Sequence, residues 1–459
     1  MSRADETIKK IKQGKRAVAS IIAVMLLICM IVGFIVFGSA GAVVLFGESR
    51  TLNDEEPAYE LAEEYMSCST TAAAFPKNSD ERQAILCMGE EDGMMFISWK
   101  GDKDGPRLLR YAKDKYSLPV SVPIRAQRTK ILNGGYYRYK VCLKDLEPGE
   151  TYYYEIGDGI VYDSPRYFDA PESDGEDIFV YLGDPQFDRN TGDYKDWGEL
   201  VMDMYEKNPQ VEFALLGGDM VNLPTRLDHW NGFLDNCGVF SMIPMMTIPG
   251  NHEGVTSNNT YKKLFRHIDN GPDGEAFYYF DHGNCRFLML DSSFLTAARQ
   301  VSMGQALWSA KEREVESWLR KSLAGSHARW NIVVVHHPVY GVHDMFTVSK
   351  EIREYWLPIM KSGGVDLVLC GHQHVYMRTQ QMDGMVHVMG VSGAKRSKYY
   401  KGFNKPVYSR AFYAAGANYQ IIKADKDALE ITSYSQKGSI IDAARIEKNT
   451  NFPYFRTFW

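Results

Sequence analysis

Five short polar motifs, each directly behind a run of apolar residues, constrain this chain more than any other feature. They are Gly183-Asp184-Pro185-Gln186, Gly218-Asp219-Met220-Val221-Asn222, Gly250-Asn251-His252-Glu253, His336-His337-Pro338 and Gly371-His372-Gln373-His374-Val375-Tyr376-Met377-Arg378. The runs before them (179–182, 213–216, 248–249, 332–335 and 368–370) read as the ends of short buried strands. Glycine ahead of the polar residue lets the backbone turn sharply. In open α/β sheets ligands collect in the crevice beyond the carboxyl ends of the strands. Five strand ends of this kind can deliver Asp184, Asp219, Asn251, His336, His372 and His374 into one cleft.

Carboxylate and amide oxygens beside imidazoles, with no competing thiolate, suit Mn, Fe or Zn. One carboxylate can bridge two divalent ions about 3.5–4 Å apart, a spacing that clamps the attacking and leaving oxygens of a phosphoryl transfer. His372 and His374 lie two apart, so an extended strand would put them on one face and a turning loop would let them reach two different ions. Singly, each motif reads as a turn, a cap or a strand end; their number and order carry the argument. The seven cysteines form no CxxC pair, which excludes a zinc ribbon or a thioredoxin motif, and only Cys68 and Cys87 are close enough to suggest a local disulfide. A formal net charge of −6 gives no basic surplus for a polyanion, so no nucleic-acid partner is expected beyond nucleotide substrates.

The rest of the chain divides by texture. Residues 1–16 are basic and read as cytoplasmic, with Arg3, Lys9, Lys10, Lys12, Lys15 and Arg16 ahead of an uncharged run at 17–47 that is long enough to span a bilayer. Glu48, Asp54, Glu55 and Glu56 follow it, so the charge asymmetry predicts a single-pass signal anchor with everything after it outside the cell. A cleaved signal peptide is the alternative, although its apolar core would be far shorter. Residues 48–79 form a polar spacer. Residues 80–172 show short aromatic-rich strands between turn signals, the pattern of a β-sandwich. From 173 to 445 apolar strands alternate with amphipathic helices and close on a β segment, an α/β domain; 446–459 is an aromatic tail.

The order GD…GD…GNHE…HHP…GHQH resembles that of the calcineurin-like metallophosphoesterases. The extended last motif and the segment 146–154, which resembles a fibronectin type III turn and strand, place the chain nearest the purple acid phosphatase branch. The resemblance covers residues 80–445. It implies a four-layer α/β (α+β) sandwich behind a fibronectin III-like module, and a hydrolase acting on phosphate monoesters by in-line attack of a metal-bound hydroxide. By motif it implies that Asp184 and His374 hold the first of two divalent ions, that Asn251, His336 and His372 hold the second, and that Asp219 bridges them. His252 would face the phosphate, stabilising the transition state or protonating the leaving group.

Two positions depart from the family pattern. Asn222 stands where purple acid phosphatases carry a metal-binding tyrosine, and Gln186 where other members carry histidine. Without the phenolate, two divalent ions are expected and a purple colour is not; Gln186 and Asn222 are possible oxygen ligands. His343 lies where that branch has a further phosphate-facing histidine, and His337 reads either as orienting the site or as loop. Glu253, Tyr376 and Arg378 read as braces for the metal-bearing loops, and His229, His267, His282, His327 and His387 as structural or exposed. Two other functions fit the same residues: a phosphodiesterase for nucleotides, lipids or wall polymers, and a surface binding protein whose metal site is structural.

Overall fold

The computed structural model describes residues 82–448, apart from 132–135, 173–174, 255–258, 266–267, 273–275, 343–346 and 396–404. The apolar run 17–47, Cys68, His343 and most of the aromatic tail lie outside the described residues. Among the described residues no helix is long and apolar enough to cross a membrane. Cys87 is a buried free thiol, pushed up to about 12 by burial against the pull of Lys140 and Arg138.

Strands β1 (Ile85–Met88), β2 (Met95–Gly101), β3 (Leu108–Ala112), β4 (Ile124–Arg125), β5 (Gln127–Ile131), β6 (Tyr136–Leu143), β7 (Thr151–Gly157) and β8 (Arg166–Asp169) form two antiparallel sheets in the orders β1-β2-β6-β5 and β4-β3-β7-β8. Ile97, Trp99 and Tyr139 of the first sheet meet Leu109, Tyr154 and Phe168 of the second in one core. In β5 only Ile131 is buried, so this edge strand has no apolar alternation to read.

Among the described residues thirteen strands follow: β9 (Asp177–Leu182), β10 (Phe213–Leu216), β11 (Met245–Thr247), β12 (Tyr278–His282), β13 (Cys285–Leu290), β14 (Trp330–Val335), β15 (Leu367–Cys370), β16 (Tyr376–Thr379), β17 (Val386–Met389), β18 (Ser409–Tyr413), β19 (Asn418–Ala424), β20 (Ala428–Ser435) and β21 (Ile440–Glu447). They make a six-stranded sheet, β11-β10-β9-β19-β20-β21, and a seven-stranded sheet, β12-β13-β14-β15-β17-β16-β18. Strands β9, β10 and β11 run parallel, as do β13, β14, β15 and β17.

Alternation within the strands explains the layering. Phe287, Met289, Ile332, Val334, Leu367 and Leu369 pack between the sheets against Phe179 and Phe213. Their neighbours Leu288, Leu290, Val333, Val335 and Val368 face outward, onto Val315 and Leu319 of helix Gln305–Ala324 and Ile359 and Met360 of helix Leu357–Ser362. Helix Asp193–Lys207 covers the six-stranded sheet with Trp197, Val201 and Met204. Strands buried on both faces read as continuous apolar runs, and the result is the four-layer sandwich expected.

Strand β1 joins the two parts of the chain. Ala84 and Leu86 point into the β-sandwich core, whereas Ile85 and Cys87 point into the core of the larger unit. Tyr154 Oη donates to the Ser241 carbonyl at 2.8 Å, and Gln83 Nε2 donates to Asp235 Oδ1 at 2.7 Å.

Two elements are irregular. Strand β11 is confined to Met245–Thr247, because Pro244 and Pro249 bracket it and the 3-10 turn Gly238–Ser241 runs up to it. The helical stretch from Thr347 to Ser362 is interrupted by a π turn at Ile352–Trp356, where Pro358 lacks the N–H that would continue the α ladder.

Candidate metal centre

The parallel strands of both sheets end at one crevice. Asp184 follows β9, Asp219 follows β10, Asn251 opens the short helix Asn251–Gly254 after β11, His336 follows β14, and His372 and His374 follow β15. Asp184 (φ 41°), Asp219 (φ 54°), His372 (φ 72°) and His374 (φ 54°) lie in the left-handed region. They are four of the seven non-glycine residues with positive φ among the described residues, a clustering that marks this crevice as the functional site. Two glycines allow the closeness: a Cβ on Gly250 would lie 2.2 Å from Asp219 Oδ1, and one on Gly371 would lie 2.2 Å from Asp184 Oδ2.

Donor atoms of Asp219, His336 and His372 lie within 4.8 Å of one another, and so do those of Asp184, Asp219 and His374. Asp219 is common to both groups. His336 Nδ1 donates to the Gly217 carbonyl at 2.8 Å, which leaves Nε2 facing Asn251 Oδ1 at 3.1 Å and Asp219 Oδ2 at 3.2 Å. His372 Nδ1 is 2.8 Å from Asn251 Oδ1, and His374 Nε2 is 3.9 Å from Asp184 Oδ1. The His372 backbone N–H is 2.8 Å from Asp184 Oδ2 and 3.0 Å from Oδ1, tying the β15 loop to the β9 loop.

Burial raises the Asp184 carboxyl to about 7, with His336 opposing and Asp219 adding. Burial would raise Asp219 as well, but the His336 and His252 imidazoles hold it well below its usual range. Burial would depress His336, yet the Asp219 and Asp184 carboxylates raise it to about 9. Burial, with His336 adding, keeps His372 well below its usual range; burial, with Lys395 adding, lowers His374 to about 3. Buried carboxylate and amide oxygens converging on imidazole nitrogens in this way fit a pair of divalent cations in donor chemistry. A cation here would take over the neutralising role of the His336 proton.

The supports are short hydrogen bonds. Glu253 Oε2 accepts the backbone N–H groups of Asp219 and Gly250, each at 2.9 Å, and Oε1 accepts that of Val221 at 2.9 Å. Glu253 thus braces the Asp219 loop. Tyr376 and Arg378 do not brace the centre: both bind Asp442 and tie β16 to β21. His337 is buried in the wall of the crevice, with its ring 4.3 Å from that of His372 and its Nδ1 2.8 Å from Ser292 Oγ.

His252 stands apart from the converging donors. Its backbone N–H donates to Asp219 Oδ1 at 2.9 Å and its Nδ1 donates to the Asn222 carbonyl at 2.8 Å. Its Nε2 is 3.9 Å from Asp219 Oδ2, and its side chain is 29% exposed where those of Asp219 and His336 are 1% and 0%. The ring therefore opens toward the cleft.

The calcineurin-like phosphoesterase model matches residues 132–376, more than half of the chain, and the purple acid phosphatase N-terminal domain model matches residues 82–169. The chain belongs to the calcineurin-like phosphoesterase family. Purple acid phosphatase 15 of Arabidopsis thaliana is 28% identical over 38% of this chain and 33% of its own length. Fe(3+)-Zn(2+) purple acid phosphatase 12 of the same plant is 24% identical over 68% of each chain. The chain thus spans a third of the first relative and two thirds of the second. Purple acid phosphatase PPD1 from yellow lupin seeds shares the fold, with a TM-score of 0.66 at 16% identity over 80% of this chain and 74% of that one.

Within this calcineurin-like centre, sequence reasoning missed Lys395. It follows β17 and enters the cleft beside His252: Nζ is 3.3 Å from His252 Nε2 and donates to Gln186 Oε1, and the Lys395 carbonyl is 3.3 Å from His374 Nδ1. A basic residue in Gly393-Ala394-Lys395, behind a sixth apolar strand, was the available signal. The Gln186 side-chain oxygen thus accepts from the Lys395 ammonium. Asn222 Nδ2 donates to the Phe187 carbonyl at 2.9 Å, whereas its buried Oδ1 has no hydrogen-bond partner.

Proposed function

We propose that this chain is a phosphoesterase with two divalent ions that hydrolyses phosphate monoesters. The observation that carries the reading is the single carboxylate, Asp219, common to two groups of metal-ligand atoms at one crevice. When bound, such an ion pair supplies Lewis acidity at the phosphoryl oxygens and water activated for in-line displacement. Asp184, His374 and Asp219 would hold one ion; Asp219, Asn251, His336 and His372 would hold the other. His336 is held by Gly217 in the tautomer that presents Nε2, and the Glu253 bonds keep Asp219 in place.

His252 and Lys395 act on the ester. Their nitrogens face each other 3.3 Å apart in the cleft, the Lys395 ammonium beside the His252 imidazole. Such a pair suits the dianion of a monoester better than the monoanion of a diester. His252 Nε2 is placed to give a proton to the leaving oxygen. A purely structural metal site has no use for this pair, which favours an enzyme over a binding protein.

The deciding experiment compares p-nitrophenyl phosphate with its bis-ester on the purified chain, before and after chelation. Monoester turnover is expected to exceed diester turnover, to vanish with chelator and to return with Mn²⁺, Zn²⁺ or Fe²⁺. A chain that holds two ions yet turns over neither ester overturns the proposal. The same samples are expected to lack a visible phenolate-to-iron band, since Asn222 stands three residues after Asp219; a strong band in the middle of the visible range would refute two divalent ions.

Anchoring through residues 17–47, with the catalytic unit outside the cell membrane, rests on the basic flank before that run and the acidic one after it. Protease added to intact cells is expected to digest the catalytic unit and spare the first 16 residues. Full protection of the catalytic unit in cells whose membrane the protease can reach would reverse the orientation.

A further inference from the structure

A second constellation lies at the other end of the strands that carry Asp184 and Asp219. Asp177 is the first residue of β9, Glu212 immediately precedes β10, and His282 is the last residue of β12. At about 3.3 Å per strand residue, Asp177 sits roughly 20 Å from Asp184. One donor atom from each of the three side chains lies within 4.8 Å of the other two.

The two carboxylates are oriented alike. Asp177 Oδ2 accepts the Asn284 backbone N–H at 2.7 Å, and Glu212 Oε1 accepts the Ile178 backbone N–H at 2.8 Å. Each turns its other oxygen toward His282 Nε2: Glu212 Oε2 in hydrogen-bond contact, Asp177 Oδ1 at 3.9 Å. The hairpin turn after His282 is shaped around Asp177, since a Cβ on Gly283 would lie 1.7 Å from Asp177 Oδ1.

Protons alone do not satisfy this arrangement. The Nε2–H of an imidazolium serves one acceptor, and it serves Glu212. Asp177 Oδ1 then stays fully buried with no hydrogen-bond partner. Burial raises the Asp177 carboxyl, but a proton on that oxygen would still face a nitrogen 3.9 Å away. A divalent ion accepts lone pairs from all three donors at once. Zinc bonds of about 2.0–2.2 Å in tetrahedral geometry put donor atoms roughly 3.3–3.6 Å apart, so small side-chain shifts suffice. Glu212 is 22% exposed and opens to a cleft lined by Asp169, Glu172 and Glu176, an acidic path for a cation.

We propose that Asp177, Glu212 and His282 bind a third divalent transition ion, Zn²⁺ or Mn²⁺, separate from the phosphoesterase centre. With Asp177 and Glu212 on the six-stranded sheet and His282 on the seven-stranded one, the ion pins the two sheets together at the pole opposite the centre, with water from the Glu212 side completing its shell.

The test counts metal. The full-length chain is stripped with chelator, reloaded with Zn²⁺ or Mn²⁺ alone and analysed by inductively coupled plasma mass spectrometry. Three ions per chain are expected in the wild type and two in the near-isosteric Glu212→Gln variant. In an Asp219→Ala background one ion is expected to remain, and adding Glu212→Gln removes it. The melting temperature of Asp219→Ala is expected to rise on adding the ion, and that rise to disappear with Glu212→Gln. His282→Ala, if it folds, repeats the loss. Equal counts with and without Glu212→Gln overturn the proposal, whatever the phosphoesterase centre itself holds. Ester hydrolysis by Glu212→Gln is expected to persist, which separates this site from the centre.

Discussion

Replacing Asp219 with alanine is expected to release both ions of the centre and to abolish ester hydrolysis. The size of the effect follows from position. Asp219 is 1% exposed, its carboxylate belongs to both donor groups, and its Oδ1 accepts the His252 backbone N–H. Removing it takes one ligand from each ion and leaves His336 Nε2, in contact with Asn251 Oδ1, without the carboxylate beside it. The loop itself keeps its support, because Glu253 binds the backbone N–H of residue 219 and not its side chain. The variant is therefore expected to fold, and metal analysis beside the rate decides the matter: wild-type metal content at the centre in Asp219→Ala would refute the shared ligand.

His252→Ala is expected to lose about 10²–10³ in turnover number, the range for one preorganised donor to transition-state charge, while keeping its metal. The ring is exposed on the cleft side and positioned by the Asn222 carbonyl, outside the converging donors. The loss is expected to shrink for esters with good leaving groups, whose departing oxygen needs less protonation. His336→Ala is the control. Its imidazole is fully buried between Asp219, Asn251 and Gly217, so metal is expected to go first and activity with it. Equal metal loss in the two variants would make His252 a ligand.

Much of this was legible along the chain. Strands β9, β10, β14 and β15 are buried on both faces, so they read as unbroken apolar runs, and the polar residues behind them stand out. That contrast is local, and it marks Asp184, Asp219, Asn251, His336, His372 and His374 before any tertiary contact is known. The departures at Gln186 and Asn222 are equally local. The edge strands were not legible, because β5 buries a single side chain and carries no period.

Other assignments depended on which residues meet across the fold. Lys395 lies 143 residues from His252 and 209 from Gln186, so its place behind an apolar strand did not by itself tell which residues it meets. His337 and His282 looked incidental because their partners, Ser292 in one case and Asp177 and Glu212 in the other, come from distant parts of the chain. Tyr376 and Arg378 sit inside the motif that carries two candidate ligands, yet serve a strand 64 or more residues away. The sequence by itself determined the layers and the donor types, because burial on both strand faces and the choice of side chain are properties of single residues and their neighbours. Only the tertiary structure decided which oxygens and nitrogens converge, because convergence needs strand ends from two sheets brought within a few ångströms, and chain order does not encode that distance.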